Sequence, residues 1–398
     1  MENNILKDKF ITLAITGGIA AYKTPILVRR LKEKGAIVQV VMTDSAENFV
    51  TPLALETVSN RKVINSLFTK GDNIKVEHID IADRSDFVVI APATANTIGK
   101  VANGIGDDFL TSMLLAYTKQ VLFVPSMNLN MYANPIVQKN MNYLNSFKEY
   151  SFMDAMEGDL ACGYSGKGRM PDPDLIVKEI EYLLNPKPLT GKKILITAGA
   201  TKEYIDPVRY ISNPSTGKMG YALAKQASLL GADVTLVSHK ACLDLPYRLK
   251  NIEYYSDVDS LSKLINELVD NHDLIIMSAA VGDIKIKNYS DKKIKKTNDN
   301  WNLEFSSTID ILKSIKDKKI FKIGFAAESN NHKSNAISKL EKKSLDMIVL
   351  NDISRKDIGF QSDYNQITIF SKNESKEFGK LTKEDTALKI LEEYIKTL

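Results

Sequence analysis

The chain has 398 residues, of which 44% are hydrophobic and 26% charged, and its formal net charge is +4. This length favours two domains. The dispersed positive charge argues against nucleic acid as a partner. No apolar run reaches the roughly 18 residues of a membrane span. We expect no signal peptide, and the only two cysteines, Cys162 and Cys242, cannot form a disulfide framework, which favours the reducing cytoplasm.

The first half alternates short apolar runs with segments of helical spacing. Residues 10–16 predict a strand, 20–34 a helix and 37–42 a second strand, and further strands are predicted at 86–92 and 121–125. Strands joined by right-handed crossovers of this kind are parallel. We therefore expect an α/β, Rossmann-like doubly wound domain.

Small and hydroxyl residues follow the predicted strands of this half. Thr16 precedes the pair Gly17-Gly18, while Thr43 and Thr94 follow other strands. Because ligands of open α/β sheets bind outside the carboxyl ends of the strands, we expect these groups to converge on one crevice. Neutral hydroxyls and backbone N–H groups suit a phosphorylated, planar cofactor. The loop is neither a Walker A nor a GxGxxG motif, and no His or Cys pair has the spacing of a zinc site.

The glycine-rich segment 159–170, DLACGYSGKGRM, fits neither the helix nor the strand period. With the lone thiol of Cys162 and the cations Lys167 and Arg169, it predicts a mobile lid over an anionic ligand. A polar surface loop with an incidental cysteine is the alternative. Likewise His78 is either a solvent-facing histidine or a functional one, and Asn128 either a helix N-cap or a ligand group.

Four strings resemble the homo-oligomeric flavin-containing cysteine decarboxylases over about residues 10–184: TGGIAAYKTP, HIDIADRSDFVVIAPATANTIGKVANGIGDD, VPSMNLNMYANP and DLACGYSGKGRM. The resemblance implies a flavodoxin-like fold that binds FMN, with its phosphate near the glycine pair. The implied FMN contacts are Gly17, Gly18, Ile19, Thr43, Thr94, Ala95, Asn96, Thr97 and Ser126. Ser126 is a departure, since the family more often has alanine there.

The resemblance also implies three catalytic roles: Asn128 binds the substrate carboxylate, His78 assists at the flavin, and Cys162 donates a proton. A cysteine carboxylate loses CO2 only when the electrons left behind have a sink. Oxidation of its CH2–S− unit to a thioaldehyde by the flavin provides one. A thiol with a pKa near 8.5 stays protonated at neutral pH and serves as the acid.

A proline-punctuated linker, Asn185-Pro186-Lys187-Pro188, follows a predicted helix over 174–184 and divides the chain into domains 1–189 and 190–398. Strands are predicted at 193–198, 233–237, 274–279, 321–326 and 346–350, with a helix after residue 215, so this half is also Rossmann-like. An NAD reductase is an open interpretation, although GxGxxG and an acidic end to strand 233–237 are missing. The lysines after Asp283 are either a solvated face or, with that carboxylate, a site for Mg2+ and a polyphosphate.

Residues 191–370 resemble phosphopantothenate–cysteine ligase through TAGATKEYIDPVRYISNPSTGKMG, SAAVGD, KIKK, IGFAAES and LNDIS. The resemblance implies that CTP activates the carboxylate of 4′-phosphopantothenate as an acyl-cytidylate, which cysteine attacks. Asn213 would bind that intermediate, Lys293 would stabilise the charge at phosphorus, and Asp283 would hold Mg2+. The nucleotide-binding positions it implies are Met277, Ser278, Ala279, Asp283, Lys293, Ile309, Asp310, Ile311, Leu312, Phe325, Lys339 and Lys343. Pro214, Thr216 and the Gly282-Asp283-Ile284 segment depart from the family pattern.

The fused arrangement resembles the bifunctional bacterial enzymes of coenzyme A biosynthesis, since the ligase product is the decarboxylase substrate and 4′-phosphopantetheine would be the final product. The residues alone do not decide CTP over ATP; the fusion favours CTP. The resemblance implies a trimer-based decarboxylase assembly, typically a dodecamer, with dimeric ligase halves. Two alternatives stay open: a non-catalytic flavin-binding regulator and a flavin–NAD(P) reductase.

Overall fold

The computed structural model describes residues 4–67, 77–159, 165–239, 243–295, 302–328, 332–352, 359, 362–372 and 374–398. The chain forms two compact units, Met1–Asn185 and Pro186–Leu398. Cys162 and Cys242 lie outside the described residues. Within the described ranges, no helix is long and apolar enough to cross a membrane.

The first unit is built on a parallel sheet of five strands in the order β2-β1-β3-β4-β5, with a two-stranded antiparallel ribbon, β6-β7, beside it. Its strands are β1 (Phe10–Ile15), β2 (Ile37–Met42), β3 (Phe87–Ala93), β4 (Val121–Pro125), β5 (Tyr150–Phe152), β6 (Met156–Asp159) and β7 (Ser165–Arg169). Its helices are α1 (Thr24–Glu33), α2 (Pro52–Ser59), α3 (Glu77–Arg84), α4 (Ala95–Ala102), α5 (Phe109–Ala116), α6 (Leu129–Tyr132), α7 (Pro135–Asn145) and α8 (Pro173–Leu184), with 3₁₀ helices at Ile19–Lys23 and Asp44–Asn48.

Both faces of this sheet are covered because successive residues of its strands point to opposite sides. On β1, Ile11 and Leu13 pack in the cluster that contains α1, α2 and α8 side chains, whereas Phe10 and Ala14 pack with α3, α4, α5 and α7. A strand buried on both faces explains the continuous apolar sequence FITLAI.

The second unit has an eight-stranded sheet in the order β12-β11-β8-β13-β16-β17-β18-β19, in which only β18 and β19 are antiparallel to their neighbours. The strands are β8 (Lys193–Ala198), β11 (Asp233–His239), β12 (Asn251–Tyr255), β13 (Leu274–Met277), β16 (Phe321–Glu328), β17 (Met347–Asp352), β18 (Tyr364–Ser371) and β19 (Ser375–Thr382), with ribbons β9 (Lys202–Tyr204)–β10 (Tyr210–Ser212) and β14 (Ile284–Ile286)–β15 (Phe305–Ser307). The helices are α9 (Lys218–Leu229), α10 (Val258–Leu268), α11 (Ile311–Ser314), α12 (His332–Lys342) and α13 (Lys383–Ile395), with a 3₁₀ helix at Val269–Asn271.

Each sheet has a point at which the strand order reverses. The chain passes from β1 to β2 on one side and then to β3 on the other, and from β8 to β11 and then to β13. A crevice opens at the carboxyl ends of the strands at such a point, and the first sheet has the flavodoxin-like order. The predicted α/β class, with two Rossmann-like units and a flavodoxin-like first unit, is confirmed.

Two local predictions were wrong. The helix predicted over 20–34 begins as a 3₁₀ helix, Ile19–Lys23, and becomes α-helical only at Thr24, where Pro25 occupies the first turn and needs no N–H partner. The segment predicted as irregular over 159–170 contains strand β7, which pairs with β6. Backbone pairing at glycines requires no apolar period, so the sequence pattern gave no sign of it.

Candidate active sites

A cavity of about 870 Å3 lies at the carboxyl ends of β1 and β3, where the order of the first sheet reverses. It is formed by the loops that follow β1, β2, β3 and β4, together with the end of β7. All of the predicted cofactor-binding residues line it: Gly17, Gly18, Ile19, Thr43, Thr94, Ala95, Asn96, Thr97 and Ser126.

The Gly17-Gly18 loop is close to the backbone that follows β2. A Cβ on Gly17 would overlap Cβ of Ser45 and lie 3.1 Å from the Ser45 carbonyl carbon, so this position has no room for a side chain. Gly18 differs, because its φ of −138° and ψ of 149° suit any residue and a Cβ there would find its nearest atoms 3.7 Å away. Gly17 is thus required by the protein's own packing, whereas Gly18 only keeps the cavity open.

Threonine hydroxyls join the ends of β1 and β3. Thr16 Oγ1 donates to the Pro92 carbonyl at 2.7 Å and accepts from the Thr94 N–H at 3.0 Å. Thr94 caps α4 by accepting from the Thr97 N–H at 3.3 Å. Thr16 is buried and does not line the cavity. The expectation that its hydroxyl reaches the crevice was therefore wrong, because that hydroxyl is used to hold the two strand ends together.

Thr43 also lines the cavity, and its buried Oγ1 has no hydrogen-bond partner among the described residues. An unpaired buried hydroxyl costs about 1–3 kcal/mol, so native proteins rarely leave one without a reason. A polar ligand atom in this cavity is a partner that would remove the cost.

Asn128 serves as the N-cap of α6 and lines the same cavity. Its Oδ1 accepts from the Asn130 N–H at 2.8 Å, which orients the amide group. The cap and ligand interpretations of this residue are therefore compatible.

His78 lies in the first turn of α3 and is half-buried. Its ring meets Phe109 edge-on, with 6.4 Å between the ring centroids, and Phe109 lines the cavity. The histidine therefore stands directly behind the cavity wall in this unit.

Strand β7 brings the glycine-rich segment to the cavity. The Met127 N–H donates to the Gly168 carbonyl at 3.0 Å, and a Cβ on Gly168 would overlap the Met127 oxygen. Gly168, Arg169 and Met170 line the cavity as a result. Cys162 precedes this strand but lies outside the described residues, so its predicted role is not tested.

Sequence reasoning missed two cations of the cavity wall. Lys23 is buried, with Nζ 3.4 Å from Asp172 Oδ1. Lys100 Nζ lies 2.7 Å from Asp107 and 3.1 Å from Asp108, and the hydrogen bond to Asp107 raises the pKa of the lysine. Lys23 is part of the TGGIAAYKTP string, but a lysine within an amphipathic segment gives no sign that it will be buried.

In the second unit, the loops after β8 and β13 are tied together at the reversal point. Ser278 Oγ donates to the Thr197 carbonyl, and the Ala279 N–H donates to Thr197 Oγ1 at 3.1 Å. Helix α9 approaches closely, since a Cβ on Gly220 would lie 2.5 Å from Ala198 Cβ and 2.9 Å from Ser278 Oγ. The predicted nucleotide residues Met277, Ser278 and Ala279 thus lie at the carboxyl end of β13, next to the end of β8.

Two further groups of predicted residues meet near the same loops. The Thr308 N–H donates to the Asp283 carbonyl at 3.1 Å and its hydroxyl to the Gly282 carbonyl at 2.6 Å, which brings Asp283 next to the segment of Ile309, Asp310, Ile311 and Leu312. Asn213 Nδ2 donates to the Val281 carbonyl at 3.3 Å.

The residue that follows helix α12, Lys343, joins this group. Lys343 Nζ lies 3.3 Å from Asp310 Oδ2, and the Lys343 N–H donates to the Lys339 carbonyl. Leu312 packs against Gly324, the neighbour of Phe325 on β16. These contacts bring the predicted residues of four separate segments to one edge of the sheet.

Lys293 is exposed, and within the described ranges no hydrogen bond or ion pair joins it to another predicted nucleotide residue. The described residues also contain no group of three or more His, Cys, Asp or Glu side chains arranged to hold a metal. Asp283 is therefore not part of a preformed metal-binding group among these residues.

Comparison with known proteins gives two family matches. Residues 2–185 match the family described as Flavoprotein, and residues 189–398 match the DNA/pantothenate metabolism flavoprotein C-terminal domain. A crystal structure of the C-terminal domain of coenzyme A biosynthesis bifunctional protein CoaBC is 36% identical, covers 53% of this chain and 97% of that chain, and has a TM-score of 0.46.

Full-length relatives carry the same name, coenzyme A biosynthesis bifunctional protein CoaBC. The Bacillus subtilis (strain 168) protein is 43% identical over 98% of this chain and 97% of its own length. The Vibrio cholerae protein is 44% identical over 92% of this chain and 93% of its own length. The Escherichia coli (strain K12) protein is 39% identical over 92% of this chain and 91% of its own length. The chain therefore belongs to the family of bifunctional coenzyme A biosynthesis proteins CoaBC, flavoproteins with a phosphopantothenoylcysteine decarboxylase and a phosphopantothenate–cysteine ligase activity.

Proposed function

We propose that the cavity of residues 1–189 binds FMN and decarboxylates phosphopantothenoylcysteine, and that residues 190–398 use CTP and Mg2+ to join cysteine to 4′-phosphopantothenate. The observation that carries the proposal is the convergence of all nine predicted cofactor residues on one cavity at the reversal point of a flavodoxin-like sheet. This family membership favours an enzyme over the regulator and reductase alternatives.

The cavity fits a flavin mononucleotide in size and chemistry. Its volume of about 870 Å3 is within the range of pockets that enclose small ligands. Gly18 leaves space beside the Thr94 turn, and the unpartnered Thr43 hydroxyl supplies a hydrogen-bonding group. We assign the phosphate to the Gly17-Gly18-Ile19 loop, through the backbone N–H groups of Gly17 and Ile19, since the Gly18 N–H donates to the Thr16 carbonyl at 2.8 Å.

Bound FMN would supply a reversible two-electron oxidation. It would accept a hydride from the substrate's CH2–S− unit, which gives the electrons of the departing carboxylate a sink, and would return the hydride after CO2 has left, so that the product is 4′-phosphopantetheine. The chain's own groups bind and orient. The Asn128 amide nitrogen donates to the substrate carboxylate and holds it without a full positive charge, which would stabilise the group that must leave. His78 contacts Phe109 but does not itself line this cavity, so its role as acceptor of the thiol proton requires a site completed by a neighbouring subunit, as the family resemblance implies. Cys162 supplies the proton that the product needs.

In the ligase half, the nucleotide lies along the carboxyl edge of β13 and β16. Asp283 would hold Mg2+ together with the nucleotide phosphates, since this ion is commonly bound through one or two carboxylates and the substrate. Lys339 and Lys343 contact the nucleotide, Lys293 stabilises the charge at the reacting phosphorus, and Asn213 binds the acyl-cytidylate. The carboxylate of 4′-phosphopantothenate attacks the α-phosphorus of CTP and pyrophosphate leaves; the amine of cysteine then attacks the acyl carbon and CMP leaves.

The dodecamer and the cytoplasmic location stay predictions. The two activities form a sequence, because the ligase product has the cysteine carboxylate that the decarboxylase removes.

The test is mass spectrometry of the products formed from 4′-phosphopantothenate, cysteine and Mg2+ with either CTP or ATP. We expect 4′-phosphopantetheine with CTP, and the oxidised, decarboxylated enethiolate when Cys162→Ala replaces the wild-type chain. Product with ATP alone would contradict the nucleotide assignment. Wild-type chain that stops at phosphopantothenoylcysteine would contradict the flavin site, and a flavin spectrum that bleaches on adding NAD(P)H would favour the reductase.

A further inference from the structure

The turn between β9 and β10 contains a fully buried carboxylate, Asp206. Its Oδ1 accepts from the N–H groups of Val208 at 2.8 Å and Arg209 at 2.9 Å. Its Oδ2 accepts from Arg209 Nε at 2.9 Å, from Arg209 Nη2 at 2.5 Å and from the Ile294 N–H at 3.2 Å. Burial acts to raise the pKa of Asp206, but these hydrogen bonds hold it at about 2, so the group is ionised at neutral pH.

Arg209 completes a clamp on the backbone of one residue, Ile294. Its Nη2 donates to the Ile294 carbonyl at 2.7 Å while Asp206 accepts from the N–H of the same residue. A second attachment is the Ser290 N–H, which donates to the Ile205 carbonyl at 3.1 Å. The segment 290–294 is thus held at both ends by the turn 205–209.

The clamped segment has no helix or strand of its own, carries exposed lysines at positions 292 and 293, and is followed by the exposed Lys295. Like charges at this spacing repel one another and favour many conformations of a free loop. The clamp holds both the N–H and the carbonyl of Ile294, and it therefore restrains the main chain next to Lys293. A charged, fully buried anchor is a costly way to hold an ordinary surface loop, since burying a carboxylate requires such complete compensation.

We propose that Asp206 is a positioning residue for Lys293 in the ligase reaction, acting through Arg209 and the Ile294 peptide. The inference rests on the proposed role of Lys293 at the reacting phosphorus. A displacement of about 1 Å of a charge-stabilising group can cost as much as 100-fold in rate. Loss of the clamp therefore lowers kcat of the ligase step and leaves the KM for cysteine nearly unchanged.

The experiment measures ligase kcat and KM on the full-length chain as wild type, Asp206→Asn, Lys293→Gln and the double variant. Asp206→Asn keeps the size of the side chain, and Arg209→Lys is a second variant that keeps the charge but cannot contact Asp206 and Ile294 together. Asp259→Asn is the matched control, since it removes an exposed carboxylate, paired with Lys285 at 2.6 Å, from the same unit without touching the clamp. Decarboxylation of added phosphopantothenoylcysteine by each variant reports whether the rest of the chain is intact.

We expect Asp206→Asn and Arg209→Lys to lower ligase kcat about 10- to 100-fold, with Asp259→Asn and the decarboxylase rates within about twofold of wild type. In the Lys293→Gln background, Asp206→Asn should lower kcat by less than about threefold, because residues that act through one group are not additive. If the effects of Asp206→Asn and Lys293→Gln on kcat were fully additive, or if Asp206→Asn left kcat unchanged, this inference would be overturned but the Lys293 assignment would not. A Lys293→Gln chain with wild-type kcat would overturn the Lys293 assignment and the inference with it.

Discussion

The two glycines of the first loop should respond to alanine in opposite ways. At Gly17 the new Cβ overlaps Cβ of Ser45, so either the loop or the chain after β2 must move. Overpacking of this kind costs about 1–3 kcal/mol. For a unit of this size, about 1 kcal/mol corresponds to roughly 2–4 °C, so the flavin-free Gly17→Ala chain should melt roughly 2–12 °C below wild type.

At Gly18 the new methyl group meets only Pro92, Thr94 and Ser126 at 3.7 Å or more, and the backbone is already in the extended region. The flavin-free Gly18→Ala chain should be as stable as wild type or gain about 0.4–1 kcal/mol from reduced freedom of the unfolded chain. Because the methyl group narrows the cavity, FMN should bind at least about tenfold more weakly, which is about 1.4 kcal/mol.

Thermal melts of the flavin-free chains and fluorescence titration with FMN separate the two effects. Gly17→Ala combined with Ser45→Gly removes the overlapping Cβ and should recover most of the lost stability. A Gly17→Ala chain that melts like wild type would refute the packing argument, and unchanged FMN affinity in Gly18→Ala would refute the placement of the ligand beside Gly18.

Two further predictions concern buried polar groups. Thr43→Val removes a hydroxyl that has no partner in the described structure. The flavin-free variant should therefore be at least as stable as wild type in thermal melts, while its affinity for FMN should fall in the titration. A clear loss of stability would mean that the hydroxyl is paired within the protein. Burial, reinforced by Lys218 and opposed by Asp363, lowers the pKa of Lys383 to about 8, below the value near 10.4 of the unfolded chain. The unfolded state therefore binds more protons than the folded state between about pH 8 and 10.4. Across this interval the free energy of unfolding of wild type should rise relative to that of Lys383→Met. Urea denaturation at pH 7, 9 and 10 measures both, and a difference between the two proteins that did not change with pH would contradict the prediction.

The central strands were predictable because their sequences are dictated by burial on both faces. Strands β1, β4 and β8 coincide with the predicted apolar runs to within one residue, since a parallel strand under helices has few positions for polar side chains. The parallel crossovers then determine which ends of the strands carry the loops, and this placed the predicted cofactor residues at one crevice. The motif resemblance added the identities of the ligands, which burial and periodicity cannot supply.

The short ribbons were not predictable in the same way. Strands β9 and β10 contain three residues each, and β7 is SGKGR, in which nothing apolar alternates. Their pairing depends on contacts that the local sequence does not contain, such as the hydrogen bond between Met127 and Gly168. Thr16 was misjudged for a related reason, because a threonine at a strand end can serve a ligand or the neighbouring strand, and only the position of Pro92 decides between them.

The two candidate sites lie at equivalent points of their sheets, where the strand order reverses, but differ in the charge of their predicted residues. The nine predicted residues that converge on the first cavity are uncharged. Among the described residues, three cations also line it, of which Lys23 lies 3.4 Å from Asp172 and Lys100 is paired with Asp107 and Asp108, while Arg169 is exposed. A decarboxylation gains nothing from a strong cation on the departing carboxylate, whereas the transfer of a nucleotidyl group develops negative charge that cations stabilise. The predicted residues of the second crevice include Lys293, Lys339 and Lys343, and one of these, Lys343, is already 3.3 Å from Asp310. The same doubly wound scaffold thus accommodates two chemistries because its strand-end loops, and not its sheets, determine the local charge.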